Sequence, residues 1–455
     1  MAELFNNLII NLNSKKYQPF LFNLVNGRRH LLNDNEFMLV KSMLQKKDVP
    51  FYTDDETTLY HTLILKKQFM TNNIRKLAED RLKKSSFFFY DEDISNDLSF
   101  SVDITRNCNM SCSFCYVKDI PNDNITMTPA HVDSIYNFYA SFVNENIIHD
   151  TTHTIRLTGG EILFNKESAN LIKYFTKKWP LAKLDLFTNG QNIIKYYDKL
   201  PLDRIETVSV SLDGLENTHM SQRTPHTNNH NTIYNDIIQG IKRLLSDDVK
   251  VRVTTVLNKN TYNDYNSFVE FLKESGISDS PNFYGNVGIT FDFSTVEELC
   301  FNSNNVEDVI VIQEFLSKHH DINQSLFMST SYLYEQLARP RNKMMEYKKQ
   351  LCAEKYLSKY HFSSNGKIYL CDCAHENKGV IGTYHPKHDI KSSDLSDFHK
   401  RNIMDSTECA ECKYKFVCLG GCYISASFKN KKTTCGVFAN EYVMDNLEFN
   451  YHSIP

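Results

Sequence analysis

Twelve cysteines in 455 residues are spread so unevenly that they set the terms for any fold this chain adopts. Three lie within residues 108–115, eight lie between 352 and 435, and Cys300 stands alone. The first ten residues carry no basic stretch and no small-residue cleavage site, so they do not read as a secretory signal. The expected compartment is therefore the reducing cytoplasm, where clustered cysteines hold metal more often than they pair as disulfides. No run of 18 apolar residues argues for a membrane span. A net charge of −4 argues against a nucleic-acid partner, which calls for a basic excess.

Around the cysteines the chain divides into blocks. In residues 1–95, Tyr17 to Phe22 and Arg28 to Leu32 flank Asn26-Gly27, a strong hairpin signal. Asn33 to Glu36 and Thr53 to Glu56 each read as a capping box opening a helix, the first carrying Phe37, Leu39, Val40 and Leu44. A hairpin followed by helices predicts a small winged-helix-like module, and residues 1–90 hold 14 Lys+Arg against 9 Asp+Glu. Residues 96–320 alternate strand and helix patterns. The expected strands are Leu98–Ile104, Thr154–Leu157, Leu184–Phe187, Thr207–Leu212, Val251–Leu257 and Gly288–Phe293. The expected helices are Pro129–Val143, Ala169–Lys178, Ile233–Leu245 and Ser267–Glu274. Such β/α repeats predict an α/β fold, a partial (β/α)6 barrel with its site at the strands' C-terminal ends. Residues 321–345 form a bridge, and 346–455 are rich in Cys, Gly and Lys with little periodicity, so metal must hold much of that block together.

Cys108-x3-Cys112-x2-Cys115 directly follows the first barrel strand. Three thiolates on one short loop can cap three corners of a [4Fe–4S] cube. No fourth Cys or His is near, the closest histidine being His131, so one iron stays open, as catalytic metal requires. A zinc ion completed by a distant ligand is the rival reading.

This loop resembles the signature of the radical S-adenosylmethionine superfamily, and its companions strengthen the resemblance. Gly159-Gly160-Glu161 follows the second strand, Thr188-Asn189-Gly190 ends the third, and Ser209-Val-Ser211-Leu-Asp213-Gly214 ends the fourth. The resemblance implies that the open iron is chelated by S-adenosylmethionine, that one electron from the cluster cleaves the sulfonium, and that a 5′-deoxyadenosyl radical takes a hydrogen atom from substrate. It implies cofactor contacts at Gly159 and Gly160, where glycine lets backbone approach a ligand, and at Glu161, for the methionine ammonium. It further implies contacts at Asn189, Ser211 and Asp213, at Arg223 for the methionine carboxylate, and at Phe114 near the adenine. His219 lies close by, with no catalytic base or hydrogen donor assignable. An electron donor such as flavodoxin or ferredoxin goes with this chemistry.

The later cysteines run Cys352-x13-Gly366-x4-Cys371, then Cys409-x2-Cys412-x5-Cys418-x3-Cys422 and Cys435. The pattern is similar to the seven-cysteine SPASM domain of one branch of the superfamily, with Gly366 at its turn glycine. That implies two auxiliary [4Fe–4S] clusters, three in all. Cys409, Cys412, Cys418 and Cys435 would hold one; Cys352, Cys371 and Cys422 would hold the other. Its fourth ligand would be Cys373, Cys300 or none, and either extra cysteine could equally be a buried thiol. A zinc ribbon is the rival for 409–435. Lys413 and Lys415 stand among these cysteines.

Members with this C-terminal domain mostly modify peptides or proteins. The N-terminal block resembles the hairpin-and-helix module that binds leader peptides by strand addition, and its positive count suits an acidic leader; a structural cap on the barrel is the other reading. The expectation is a maturase that crosslinks a ribosomally made precursor peptide carrying a leader, through a thioether or carbon–carbon bond. An epimerase and an anaerobic sulfatase-maturing, formylglycine-forming enzyme are the alternatives, although the N-terminal extension argues against the latter. A non-catalytic iron–sulfur or zinc scaffold is the reading of a different class.

Overall fold

The computed structural model describes residues 8–11, 19–23, 29–45, 53–63, 79–80, 100–115, 124–141, 153–226, 232–257, 259–289, 360–369, 372, 379–390, 402–412, 415, 420 and 426. These fall into two compact units: residues 1–87, 297–354 and 400–455 in one, and 88–296 with 355–399 in the other.

The larger unit is built on a parallel sheet. Strands β4 (Phe100–Thr105), β6 (Thr154–Gly159), β7 (Lys183–Thr188), β8 (Ile205–Ser211), β10 (Val251–Leu257) and β11 (Phe283–Ile289) neighbour one another in sequence order, and every pairing is parallel. Parallel neighbours joined in sequence order call for right-handed crossovers, which place the connecting helices on one face. Alternate residues therefore pack under the helices: Phe100, Val102, Ile104, Ile155, Leu157, Leu184, Leu186, Val208, Val210, Val251 and Val253 are buried. They meet α3 (Pro129–Ala140), α4 (Lys166–Lys178), α6 (Ile233–Ser246) and α7 (Lys259–Glu274), whose buried Ile135, Phe138, Ile172, Phe175, Ile241 and Leu244 complete the layer. Each such side chain stabilises the fold by about 1.5–3 kcal/mol of transfer free energy. Phe100 is the hub, its ring 5.0 Å from Tyr139 and 5.4 Å from Trp179. The intervening residues, polar in the main, occupy the helix-free face.

Two starts differ from the sequence expectation by more than a few residues. The sixth strand begins at Phe283 and runs through Gly285 and Asn286, residues that read as a turn. Among the described residues it pairs on one side only, with β10, and an edge strand tolerates Gly and Asn; the expected continuation to residues 290–293 lies outside the described residues. Helix α7 begins at Lys259 rather than Ser267. Its polar first turns read as loop, but Asp264 accepts from Thr218 Oγ1 at 2.8 Å and from the Leu215 N–H at 3.2 Å.

The sheet continues past β4. Strand β12 (His361–Phe362) pairs parallel to β4, and β13 (Lys367–Tyr369), β14 (Val380–Thr383) and β15 (Asp389–Ile390) add as an antiparallel meander. Gly366 supplies the turn between β12 and β13 at φ 82°, and a Cβ there would sit 2.3 Å from the His385 carbonyl oxygen. His361 reaches the helix-free face, bonding Ser101 at 2.9 Å and pairing with Asp103 at 3.1 Å.

In the smaller unit, β1 (Leu8–Asn11), β2 (Phe20–Asn23) and β3 (Arg29–Leu31) form an antiparallel sheet in that order. The hairpin strands are where the sequence placed them; the Asn26-Gly27 turn lies outside the described residues. Helix α1 (Asp34–Gln45) opens on the expected capping box, with Glu36 N–H donating to Asn33 Oδ1 at 2.8 Å and Asn33 N–H to Glu36 Oε2 at 3.0 Å. Helix α2 (Asp54–His61) opens on the second. Leu21, Leu32, Val40, Leu59 and Leu63 close the core. Residues 402–412 of the same unit contain α8 (Thr407–Glu411), whose Ser406 cap accepts from the Cys409 N–H at 3.5 Å. No described helix is long and apolar enough to cross a membrane.

Candidate active site

Cys108, Cys112 and Cys115 sit on the loop leaving the C-terminal end of β4, and the ends of β6, β7 and β8 hold that loop. From β6, the Gly160 N–H donates to Thr105 O at 2.8 Å and the Glu161 N–H to Asn107 O at 2.9 Å. A Cβ on Gly159, whose φ is 135°, would lie 2.2 Å from Thr105 O, and one on Gly160 would lie 2.4 Å from Asn107 O. Both glycines thus permit contact between two stretches of protein backbone, a role that approach to a ligand alone did not suggest.

Glu161 is buried and locks β6 to β7. It accepts from Thr188 Oγ1 at 2.5 Å, the Asn189 N–H at 2.7 Å and the Leu163 N–H at 2.9 Å. Burial pushes its carboxyl above the ordinary range, against the pull of these donors. Asn189 then reaches the cysteine loop: its Nδ2 donates to Asn109 Oδ1 at 2.7 Å and lies 3.8 Å from Cys108 Sγ. Asn109 answers by donating to Gln191 at 2.8 Å. Nothing in the local sequence around Asn109 and Gln191 sets them apart from ordinary loop residues.

The third support comes from beyond β8. Strand β5 (Met110–Cys112) pairs antiparallel with β9 (Arg223–Pro225), which places Cys112 opposite Arg223. The Arg223 guanidinium grips Asp213 at 2.6 and 3.2 Å, lies 3.9 Å from Cys112 Sγ, and covers the Phe114 ring at 5.0 Å. Asp213 also accepts from the Val256 N–H at 2.8 Å. Its own N–H donates to His219 Nδ1 at 3.1 Å, and burial lowers that imidazole's pKa to about 4, so the ring is a neutral acceptor. The short helix α5 (Glu216–Gln222) sets His219 in place, and the Ser113 N–H donates to Gln222 O at its end, at 3.0 Å. Ser211 lies half-buried at the end of β8, in register with Thr254.

The donor set suits an iron–sulfur cluster. Burial, then the charge of Glu161, pushes the Cys108 thiol up to about 12, and burial also raises Cys112 against the opposing pull of Arg223. Thiols so placed lose their protons when a cationic metal centre compensates them, and Asn189 and Arg223 stand ready to donate to their sulfurs. Among the described residues no three His, Cys, Asp or Glu side chains gather closely enough to hold a single metal ion. Cys409 and Cys412 are half-buried in the smaller unit, joined by a 3.2 Å bond from the Cys412 N–H to Cys409 O. Cys300, Cys352, Cys371, Cys373, Cys418, Cys422 and Cys435 lie outside the described residues.

A three-cysteine loop at the C-terminal edge of a parallel sheet, pinned by glycine and carboxylate at the next strand end, defines a class, and comparison with known proteins agrees. The profile of the Radical SAM superfamily matches residues 102–272, so the chain carries a radical SAM domain. The relatives are enzymes. GTP 3′,8-cyclase of Staphylococcus carnosus (strain TM300) is 29% identical over 186 residues, 40% of this chain and 52% of that one. The chain spans about half the length of the cyclases it matches. A cysteine-type anaerobic sulfatase-maturating enzyme of Clostridium novyi (strain NT) is 24% identical over 340 residues, 70% of this chain and 85% of that one. Streptococcus suis SuiB, solved with S-adenosylmethionine, shares the fold at a TM-score of 0.54 and 17% identity, over 95% of this chain and 99% of its own.

Proposed function

We propose that this chain is a radical S-adenosylmethionine enzyme that modifies a ribosomally synthesised peptide by hydrogen abstraction, forming a thioether or carbon–carbon crosslink. The observation that carries the reading is the suspension of Cys108, Cys112 and Cys115 from three neighbouring strand ends, with hydrogen-bond donors directed at two of the sulfurs. When bound, the cluster supplies the electron that cleaves S-adenosylmethionine to the 5′-deoxyadenosyl radical. The chain's own residues fix the geometry. Gly159 and Gly160 let the cysteine loop lie against β6, Asn189 and Arg223 hold the thiolate side, Glu161 ties the end of β6 to β7, and Asp213 beyond β8 orients Arg223.

A peptide substrate is supported by likeness. SuiB, whose fold this chain shares, has been solved bound to the precursor peptide SuiA. Among the described residues β1 and β3 are the outer strands of their sheet, of the kind that take up an added strand, which suits a leader-binding module. The seven later cysteines are assigned to two auxiliary clusters. The sulfatase-maturating relative, which aligns over most of this chain, supports formylglycine formation as the second reading.

The test is anaerobic reconstitution with iron and sulfide, reduction in the presence of S-adenosylmethionine, and chromatography for 5′-deoxyadenosine. Candidate peptides encoded beside the gene, and a cysteine-containing sulfatase peptide, are then screened by mass spectrometry. Absence of 5′-deoxyadenosine from cluster-loaded protein would refute the radical reading. Conversion of the sulfatase peptide alone would decide for the second.

A further inference from the structure

The helix-free face of the parallel sheet carries a row of residues that the cofactor site does not use. Cross-strand registers put Asp103 beside Thr158, Phe187 beside Ser209, Ser209 beside Arg252, and Arg252 beside Tyr284. The row lies one pleat back from Ser211 and Thr254 at the strand ends, so roughly 7 Å separates it from the rim where the cysteine loop sits.

Among the described residues the charges on this face are matched, with one exception. His361 pairs with Asp103 at 3.1 Å and Arg156 with Asp372 at 3.8 Å. Elsewhere the described arginines are likewise engaged: Arg223 by Asp213, Arg243 by Asp247, Arg204 by the carbonyls of Trp179 and Ala182, and Arg106 by Ser363. Among the described residues Arg252 has one polar contact, a 3.4 Å approach of Nη1 to the neutral Ser209 hydroxyl. It is half-buried, between strands whose opposite face is packed core, and no carboxylate among the described residues lies within ion-pair distance. A guanidinium held by backbone register, with its fork unused, is organised for a bidentate anion. The half-exposed Tyr284 ring beside it offers an apolar wall.

We propose that Arg252 is a specificity-determining residue that receives a carboxylate of the peptide substrate on the helix-free face. The proposal rests on the peptide-modifying function above and narrows the substrate class to peptides that present an acidic side chain or a free C-terminus to the helix-free face. No covalent step is assigned to Arg252.

The test uses cluster-loaded protein with S-adenosylmethionine and three hexapeptide libraries. The first is N-acetylated and C-amidated with one Asp or Glu. The second is its Asn/Gln counterpart. The third has a free C-terminal carboxylate and no acidic side chain. Anaerobic size-exclusion selection with mass spectrometry reads which members are retained. The expected result is retention of acidic over amide members by about tenfold, the size of one charge-assisted contact. That preference disappears in Arg252→Gln, survives in part in Arg252→Lys, and is reversed toward Lys-bearing members in Arg252→Glu. Preferential retention of the third library identifies the C-terminal carboxylate as the source; preference for the first identifies a side chain. Equal retention of all three libraries by the unaltered protein, or an unchanged preference in a folded Arg252→Gln protein, overturns the proposal. Cluster-loaded protein that forms 5′-deoxyadenosine yet shows no acid preference refutes this inference alone, whereas absence of 5′-deoxyadenosine refutes the function beneath it.

Discussion

Arg223 holds both carboxylate oxygens of Asp213, at 2.6 and 3.2 Å, while its third nitrogen lies 3.9 Å from Cys112 Sγ. Asp213 thereby sets the position of a cysteine with which it makes no bond of its own. Both partners are buried, so removing one leaves the other's charge stranded, at about 3–5 kcal/mol. Asp213→Asn keeps an oxygen for the Val256 N–H but loses one arm of the fork. The expected outcome is a lower unfolding midpoint and fewer irons per chain after reconstitution, measured by anaerobic melts and iron analysis. Retention of full iron content in a destabilised Asp213→Asn protein would separate the ion pair from the cysteine loop.

Gly160→Ala tests the contact between β6 and that loop. The new Cβ meets two carbonyl oxygens, of Asn107 at 2.4 Å and Arg106 at 2.5 Å. Backbone cannot rotate away as a side-chain tip can, so the loop or β6 must shift. The expected cost exceeds about 2 kcal/mol, with iron incorporation reduced more than secondary structure. Iron content and far-ultraviolet circular dichroism on the same preparation decide it; normal iron loading would show the contact to be pliable.

His361 and Asp103 give the larger unit a pH dependence. Burial by itself would depress the imidazole pKa, and the Asp103 carboxylate, with the charge of Asp372, more than offsets this, so it ends above its ordinary value. A raised histidine pKa contributes stability that is complete below the unfolded value, about 6.5, and is lost as pH rises through the folded value. Stability of the intact protein should therefore decline from about pH 6.5 upward, and Asp103→Asn should flatten that decline. Denaturant unfolding from weakly acid to weakly alkaline pH provides the check, and parallel profiles for the two proteins would exclude the pair as its source.

How far the sequence speaks for this fold depends on the range of the interactions involved. Capping boxes at Asn33 and Thr53 and the turn at Gly366 are local, and each lies where its residues placed it. Strand alternation from Phe100 to Leu257 was legible because one face is packed by helices. Strand β11 was misplaced by its start because edge position, a tertiary fact, excuses Gly285 and Asn286. The site divides in the same way. Cys108, Glu161, Asn189 and Arg223 were marked by spacing, but what they touch was not. Glu161 spends three bonds on β7 and its own turn, Arg223 takes Asp213, and Asn109 and Gln191 join the network from plain loop sequence. The pairing of β12 with β4 crosses about 260 residues, for which no local pattern speaks.

Lys415 bears on the role of the N-terminal block. Its ammonium is almost wholly buried, 2.7 Å from Glu79 Oε1 and 2.8 Å from the Ala410 carbonyl, three residues beyond Cys412. Deleting residues 1–95 to remove leader binding also removes Glu79 and takes a carboxylate from a buried cation beside the cysteine segment, at up to about 3 kcal/mol given that Glu79 is partly exposed. Such a truncation confounds peptide recognition with loss of the C-terminal cysteine segment. A deletion ending at Leu63 spares the pair while removing the sheet β1–β3 and helices α1 and α2. The shorter deletion should abolish peptide modification yet keep the iron content of the full chain, whereas Glu79→Ala in the full chain should lower iron content and leave peptide affinity intact. Iron analysis, with fluorescence anisotropy of a labelled precursor peptide, reads both. Unchanged peptide affinity after the shorter deletion would refute leader binding by this module, and full iron content in Glu79→Ala would show that Lys415 does not need its carboxylate.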